Sequence, residues 1–216
     1  MGVLLMLLTI VGSLLAVLLM ILAGITRQVW LARFVFGAAG VWFAIYVALL
    51  ATFSFLSREK TLELNEPKAF CGFYLDCHLH AAVTAIEKTK TFNDKAARGA
   101  FYVVKIKISN DARRAAMNLW NPQFVAVDAA NRKFERLAEL ENPAPAWGQK
   151  IPAGGSFEKE IIFDLPADVQ NPRLDISEGL GIDKMIEAVL INDEDSLWHK
   201  RVFFRLESVN QTTSLQ

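Results

Sequence analysis

The hydrophobic pattern of this chain changes character once. From Val3 to Ile25 only Thr9, Gly12, Ser13 and Gly24 interrupt an apolar run, and from Phe34 to Leu56 only Gly37, Gly40, Thr52 and Ser54 interrupt a second. Each run is long enough to cross the hydrocarbon of a bilayer, which takes about 20 helical residues. Two such runs in succession, neither holding a charge, predict two transmembrane helices rather than two buried core helices. After Ser57 the pattern shifts to short alternating segments. Ala82–Thr89 reads as a strand, and Phe101–Ser109 is the clearest, with Lys105 and Lys107 on one face and Tyr102, Val104, Ile106 and Ile108 on the other. That period of two marks a sheet with one buried face.

More strands are expected downstream. Gln123–Asp128 leads through Ala129-Ala130-Asn131 into Arg132–Glu135 as a hairpin, and Phe157–Leu165 is closed by Pro166. Arg173–Ile176, Ile186–Ile191 and Trp198–Leu206 complete the set, although Glu178–Glu187 also fits a helical turn. The fold expected is therefore two N-terminal transmembrane α-helices followed by an all-β sandwich of about 7–8 strands. Residues 1–57 form the helix hairpin (spans 3–25 and 34–56), 58–69 a linker, 70–207 the sandwich and 208–216 a flexible tail.

Composition sharpens this division. The 216 residues hold 23 bases and 23 acids, a net charge of zero, which argues against a protein that coats nucleic acid. The balance is not uniform. Residues 1–57 contain 43 hydrophobic residues, no acid and only Arg27 and Arg33 as bases, which leaves 21 bases and 23 acids for the rest. The first run is too long for a secretory signal and has no Lys or Arg before it, so it is expected to stay uncleaved. A lipoprotein signal is excluded by the lack of any cysteine before Cys71. The segment Thr26–Arg33 holds the two bases, and the positive-inside rule assigns it to the cytoplasm, with Trp30 as an interfacial anchor. Both termini then lie outside, and the C-terminal domain is extracytoplasmic. Neither span carries an ionisable residue, so an anchor is expected and not a pump or channel. Gly40, Ala44 and Ala48 form a stripe of small residues that suits packing within the hairpin or a homo-oligomer.

A resemblance follows from the order of motifs. A strand ends in Asn at Val103–Asn110, a hydrophobic-Asp turn runs from Phe124 to Asp128 with Phe134 after it, and Pro152–Pro166 holds a Phe-rich strand closed by proline. This resembles the bacterial immunoglobulin-like, telokin-like exported domains of unknown function, over about residues 78–207. The resemblance implies an immunoglobulin-like sandwich on a bacterial inner membrane, facing the periplasm or exterior, with no catalytic set. The chain departs from the pattern at Cys71–His80 and in the long stretch between Phe134 and Pro152.

Candidate chemistry is concentrated in Cys71-Gly72-Phe73-Tyr74-Leu75-Asp76-Cys77-His78-Leu79-His80. An even cysteine count in an exported domain favours a Cys71–Cys77 disulfide. A soft-metal site built from Cys71, Cys77, His78 and His80 is the alternative. Along a strand, however, the two histidines share one face while Cys77 points away. Haem attachment at Cys77-His78 and two free thiols are the remaining readings. His199, Asn192–Asp195 and the basic pairs Arg113-Arg114 and Arg132-Lys133 read as ordinary strand and turn residues. No nucleophile motif and no phosphate loop is present. No cofactor is expected. The loop with Pro143, Pro145 and Trp147 is the candidate contact surface, because an aromatic in a loop suggests binding, although Trp147 folding back onto the sandwich is the simpler outcome. The expected function is a non-catalytic, membrane-anchored extracytoplasmic binding module, an envelope scaffold or assembly protein with lipid and an unidentified protein as partners. The alternatives are a metal-handling or redox protein of the envelope, and a subunit of a larger membrane complex.

Overall fold

A computed structural model describes residues 2–71 and 77–207. Its contacts divide the chain into one unit of Met1–Arg58 with Met185–Lys200 and a second of Glu59–Lys184 with Arg201–Gln216. The expected tail at 208–216 lies outside the described residues.

In the first unit, helix α1 spans Gly2–Ile25 and helix α2 spans Val29–Leu56. Both are long and apolar enough to cross a membrane. Helix α2 begins five residues earlier than its apolar run. Trp30-Leu31-Ala32-Arg33 contains no helix breaker, so the connection shrinks to Thr26-Arg27-Gln28, with Arg27 in the left-handed region at φ 54°. Apolar side chains point outward along both helices, as at Leu14 (67% exposed) and Phe36 (72% exposed). Gly12 and Ala16 of α1 face Ala38 and Ala39 of α2 across an apolar cleft, and the Trp42 indole donates to the Thr9 hydroxyl at 3.1 Å. Gly40, Ala44 and Ala48 are exposed instead, so the predicted stripe is not what packs the hairpin.

Among the described residues, the second unit is a sandwich of nine strands. Strand β1 is Lys60–Leu62, β2 Lys68–Phe70, β3 Leu79–Phe92, β4 Lys95–Asn110, β5 Gln123–Val127, β6 Lys133–Glu135, β7 Ser156–Leu165, β8 Arg173–Ser177 and β9 Val202–Arg205. They form two sheets, ordered β1-β9-β8-β5-β6 and β2-β3-β4-β7. The stretch read as a linker therefore contains two strands. One of them pairs in parallel with β9, Lys60 opposite Val202 and Leu62 opposite Phe204. Asn93 and Asp94 join β3 to β4 with φ of 47° and 60°, the two positive values that a two-residue hairpin turn matched to strand twist requires.

The core lies between the sheets. Tyr102, Val104, Ile106 and Ile108 of β4 face Phe124, Ala126, Leu174, Ile176 and Phe204 of the other sheet, as the alternation predicts. The opposite face of β4 is covered as well. Phe101 and Val103 are buried with Ile162 beneath Leu137 and Leu140. Two polar residues of the sequence motifs are buried and serve structure. Asn110, 1% exposed, donates from its amide to the carbonyls of Ala115 and Ile151 at 2.8 and 2.9 Å and accepts from the Ala112 amide at 3.0 Å. Asp128, 1% exposed, accepts from the Ala130 and Arg132 amides and from the Arg132 side chain at 2.6 Å. Burial works to raise the Asp128 pKa, but those Arg132 hydrogen bonds outweigh it and hold the carboxyl below its ordinary range.

Two strand expectations are corrected near the C-terminus. The segment Ile186–Ile191 is not a strand: helix α3 spans Ile182–Val189, because Ile182, Met185, Ile186 and Val189 repeat at helical spacing. The final strand does not begin at Trp198. That residue adopts φ 63° in a turn, which no strand accommodates, and β9 starts only at Val202. His199 accordingly lies in the turn, its Nδ1 2.8 Å from the Lys200 carbonyl oxygen.

Candidate binding groove

The loop after β6 is longer than a hairpin needs, and it folds over the outer face of β4 and β7. The Leu137 amide donates to the Ile162 carbonyl at 2.7 Å, and a 3-10 turn at Ala138–Leu140 follows. Arg136 and the buried Glu141 carboxylate pair at 2.5 Å, and the Trp147 indole donates to the same carboxylate oxygen at 3.3 Å. From β7, the Lys159 ammonium reaches the Pro145 carbonyl at 2.8 Å and lies 5.1 Å from the centre of the Trp147 ring. Burial pushes the Lys159 pKa down, while the Glu141 charge works against that shift.

This arrangement leaves a groove of about 670 Å³ between the loop and the sheet. Asn142, Pro143 and Ala144 form one wall, and Phe92, Lys105 and Ile162 contribute to the other. Glu139, Glu141, Glu158 and Glu160 against Lys105 and Lys159 give the lining more acid than base. Lys105 is itself paired with Glu160 at 3.6 Å. Among the described residues, Oε1 of Glu141 is buried with no hydrogen-bond partner.

The predicted contact residues thus separate. Pro143 lines the groove, and the Pro145 carbonyl fixes the loop to β7. Trp147 folds back onto the sandwich. It is 8% exposed and packs on Phe124 with ring centroids 4.4 Å apart, because its indole is large enough to fill the open end of the sandwich. Phe92, Glu158 and Glu160 carry no sign of binding in the sequence, and Lys105 shows there only as part of the polar face of its strand. The one signal for the acidic pair was the Glu-Lys-Glu alternation on β7, which places Glu158 and Glu160 together on the outer face.

The Cys71–His80 cluster resolves into two features. Cys71 and Cys77 are joined by a disulfide, so neither offers a thiolate to a metal or haem. His78 and His80 lie on one side, as strand geometry predicts, and both engage Asp111 just past β4: His78 Nδ1 to Oδ1 at 2.6 Å and His80 Nε2 to Oδ2 at 3.1 Å. These hydrogen bonds, His78 first, hold the Asp111 carboxyl below its ordinary range. No group of three or more His, Cys, Asp or Glu among the described residues is placed to hold a metal ion. Arg132 is committed to Asp128 and Asp168, while Arg113 and Arg114 are exposed.

Comparison with known proteins adds the family. A family model described as a domain of unknown function, DUF4352, matches residues 76–186. No curated protein matches the chain. Among solved structures, a secreted protein of Mycobacterium tuberculosis, MPT63, is similar at 12% identity with a TM-score of 0.44, over 68% of this chain and 98% of that one. An uncharacterised β-sandwich protein of Clostridium difficile is similar at 9% identity with a TM-score of 0.38, over 70% of this chain and 96% of that one. The yjhA protein of Bacillus subtilis is similar at 13% identity with a TM-score of 0.36, over 52% of this chain and 77% of that one.

Proposed function

Since the chain belongs to the DUF4352 family, a domain of unknown function, its role has to be read from its own residues, and we propose that it is a membrane-anchored, extracytoplasmic binding module without catalytic activity. One observation carries this reading. Two helices whose apolar side chains face outward are covalently continuous with a sandwich that holds a disulfide. Outward apolar helices are stable in lipid, and disulfides persist in oxidising compartments. The two demands agree if the hairpin spans the membrane and the sandwich lies outside, with Arg27 at the cytoplasmic turn. The groove beside Pro143 is the binding surface. Its excess of carboxylates and the unpartnered oxygen of Glu141 favour an extended protein segment bearing lysine or arginine.

Location is tested by labelling Glu139→Cys with a membrane-impermeant maleimide in intact cells. Labelling without lysis is expected; labelling only after lysis overturns the orientation. Binding is tested with a photo-crosslinking residue at Ala144, which should capture a partner that the same residue at Lys107 does not. Equal capture at both positions would remove the groove from the proposal.

A further inference from the structure

The segment that follows β8 has the polarity of a surface helix reversed. In α3 the apolar residues Ile182, Met185, Ile186 and Val189 recur at i, i+3, i+4 and i+7, a stripe that a soluble domain turns toward its core. Here Met185 is 73% exposed and Val189 38% exposed, while Glu187 is fully buried. Leu197 and Trp198, in the turn beyond, are 46% and 55% exposed. Isolated exposed apolar residues need no explanation, but a helical stripe continued by an exposed Leu-Trp pair marks a surface that meets an apolar medium.

The structure also fixes where this surface is held. The Tyr46 hydroxyl donates to the Val189 carbonyl at 2.7 Å, and Ile191 packs with Tyr46 and Leu50. Ser54 and Ser196 share a buried hydroxyl contact at 3.4 Å, and the Trp198 ring stacks on Phe55 with centroids 5.9 Å apart. The Lys200 amide donates to the Ser57 hydroxyl at 2.8 Å. These tethers fall on the last three turns of α2 and on Ser57, which caps it. At 1.5 Å per residue its 28 residues extend about 42 Å, against a hydrocarbon thickness of about 30 Å. With Arg33 at one boundary, about 20 residues of hydrocarbon end near Phe53, in the middle of the tethered turns. Leu5, near the start of α1, packs against the same cluster of Tyr46, Leu50 and Ile191, which places both outer helix ends at one level.

We infer that residues 182–198 form a membrane-surface element, with Met185, Val189, Leu197 and Trp198 lying in the headgroup–acyl boundary of the outer leaflet. The occupant is lipid because the stripe continues from helices that already face lipid, and because tryptophan beside a span end is the favoured boundary residue. This inference rests on the membrane-anchor reading above, and its test separates the two.

The test uses the full chain reconstituted in phosphatidylethanolamine–phosphatidylglycerol vesicles. A nitroxide is attached at Met185→Cys, Leu197→Cys, Leu18→Cys or Lys107→Cys, with the native cysteines already consumed by their disulfide. Accessibility to oxygen relative to a water-soluble nickel chelate is measured at each site. The ratio is expected to be several-fold higher at 185 and 197 than at 107, and highest at 18. A lipid-like value at 18 with water-like values at 185 and 197 overturns the inference and leaves the anchor standing. A water-like value at 18 overturns both. Nitroxides at 185 and 197 that are immobilised and shielded from both reagents overturn it in favour of a protein contact, such as a second copy of the chain.

Discussion

Lys159 binds the Pro143–Trp147 loop from below: its ammonium donates to the Pro145 carbonyl at 2.8 Å and sits 5.1 Å from the centre of the Trp147 ring. The cation spans a joint between strand and loop, and the groove wall depends on it. Lys159→Met keeps the apolar stem but leaves the Pro145 carbonyl without its donor, a loss of about 1–3 kcal/mol. Chemical denaturation of the isolated variant and parent in detergent should show that drop, together with loss of crosslinking from Ala144.

The same lysine gives a pH dependence. Its folded pKa lies below the ordinary 10.5, so its contribution to stability is greatest above 10.5 and falls as pH drops through the lower folded value. The stability of the parent relative to Lys159→Met should therefore increase on the alkaline side. Parallel denaturation midpoints for the two proteins on both sides of that range check the sign, and an unchanged difference would contradict it.

Asp111 is predicted to act in the acid range. Its carboxylate is held by His78 and His80, and its folded pKa is lowered from 3.8. The stability it contributes is fully present above 3.8 and is lost as pH falls through the lower folded value. Asp111→Asn should be less stable than the parent at neutral pH, with the gap closing under acid. Thermal melts across the acid range measure it.

Reduction of Cys71–Cys77 should cost roughly 2 kcal/mol, the loop-closure value for a ring of this size, and leave the sandwich folded. Cys71→Ser with Cys77→Ser should match the reduced parent, and circular dichroism with and without reductant distinguishes lower stability from unfolding.

Asn110→Ala removes one side chain that bonds three carbonyls and one amide in a site 1% exposed. A loss of about 3 kcal/mol is expected, and Asn110→Asp should not restore it, because a carboxylate cannot donate to those carbonyls. Denaturation midpoints of both variants provide the check.

Legibility in the sequence followed the range of the interactions. The hydrophobic runs gave both helices, and β4 with the β5–β6 hairpin showed through alternation and the Asp128–Asn131 turn, since each depends on near neighbours. Strands β1 and β2 did not show. They are three residues each, with lysine at their first positions, and β1 is held by pairing with residues far along the chain. The segment Ile186–Ile191 is too short for periodicity alone to tell strand from helix, so α3 is not legible there. The two histidines were placed on one face correctly, but Asp111, some thirty residues away, has no local sign of joining them. The groove was half legible. Its Pro143 wall stood out as a loop, whereas Phe92, Lys105 and Ile162 come from three different strands or their ends and meet only in the folded sheet.

The parallel pairing of β1 with β9 sets an order of assembly. Lys60 leaves the ribosome soon after the second helix, yet its partner Val202 is made some 140 residues later. Throughout that interval β1 waits for its sheet neighbour, since among the described residues β9 alone adjoins it. The strand that follows helix α2 in the chain is thus the last to be paired, and a nascent chain halted before residue 202 would carry β1 as an unpaired strand.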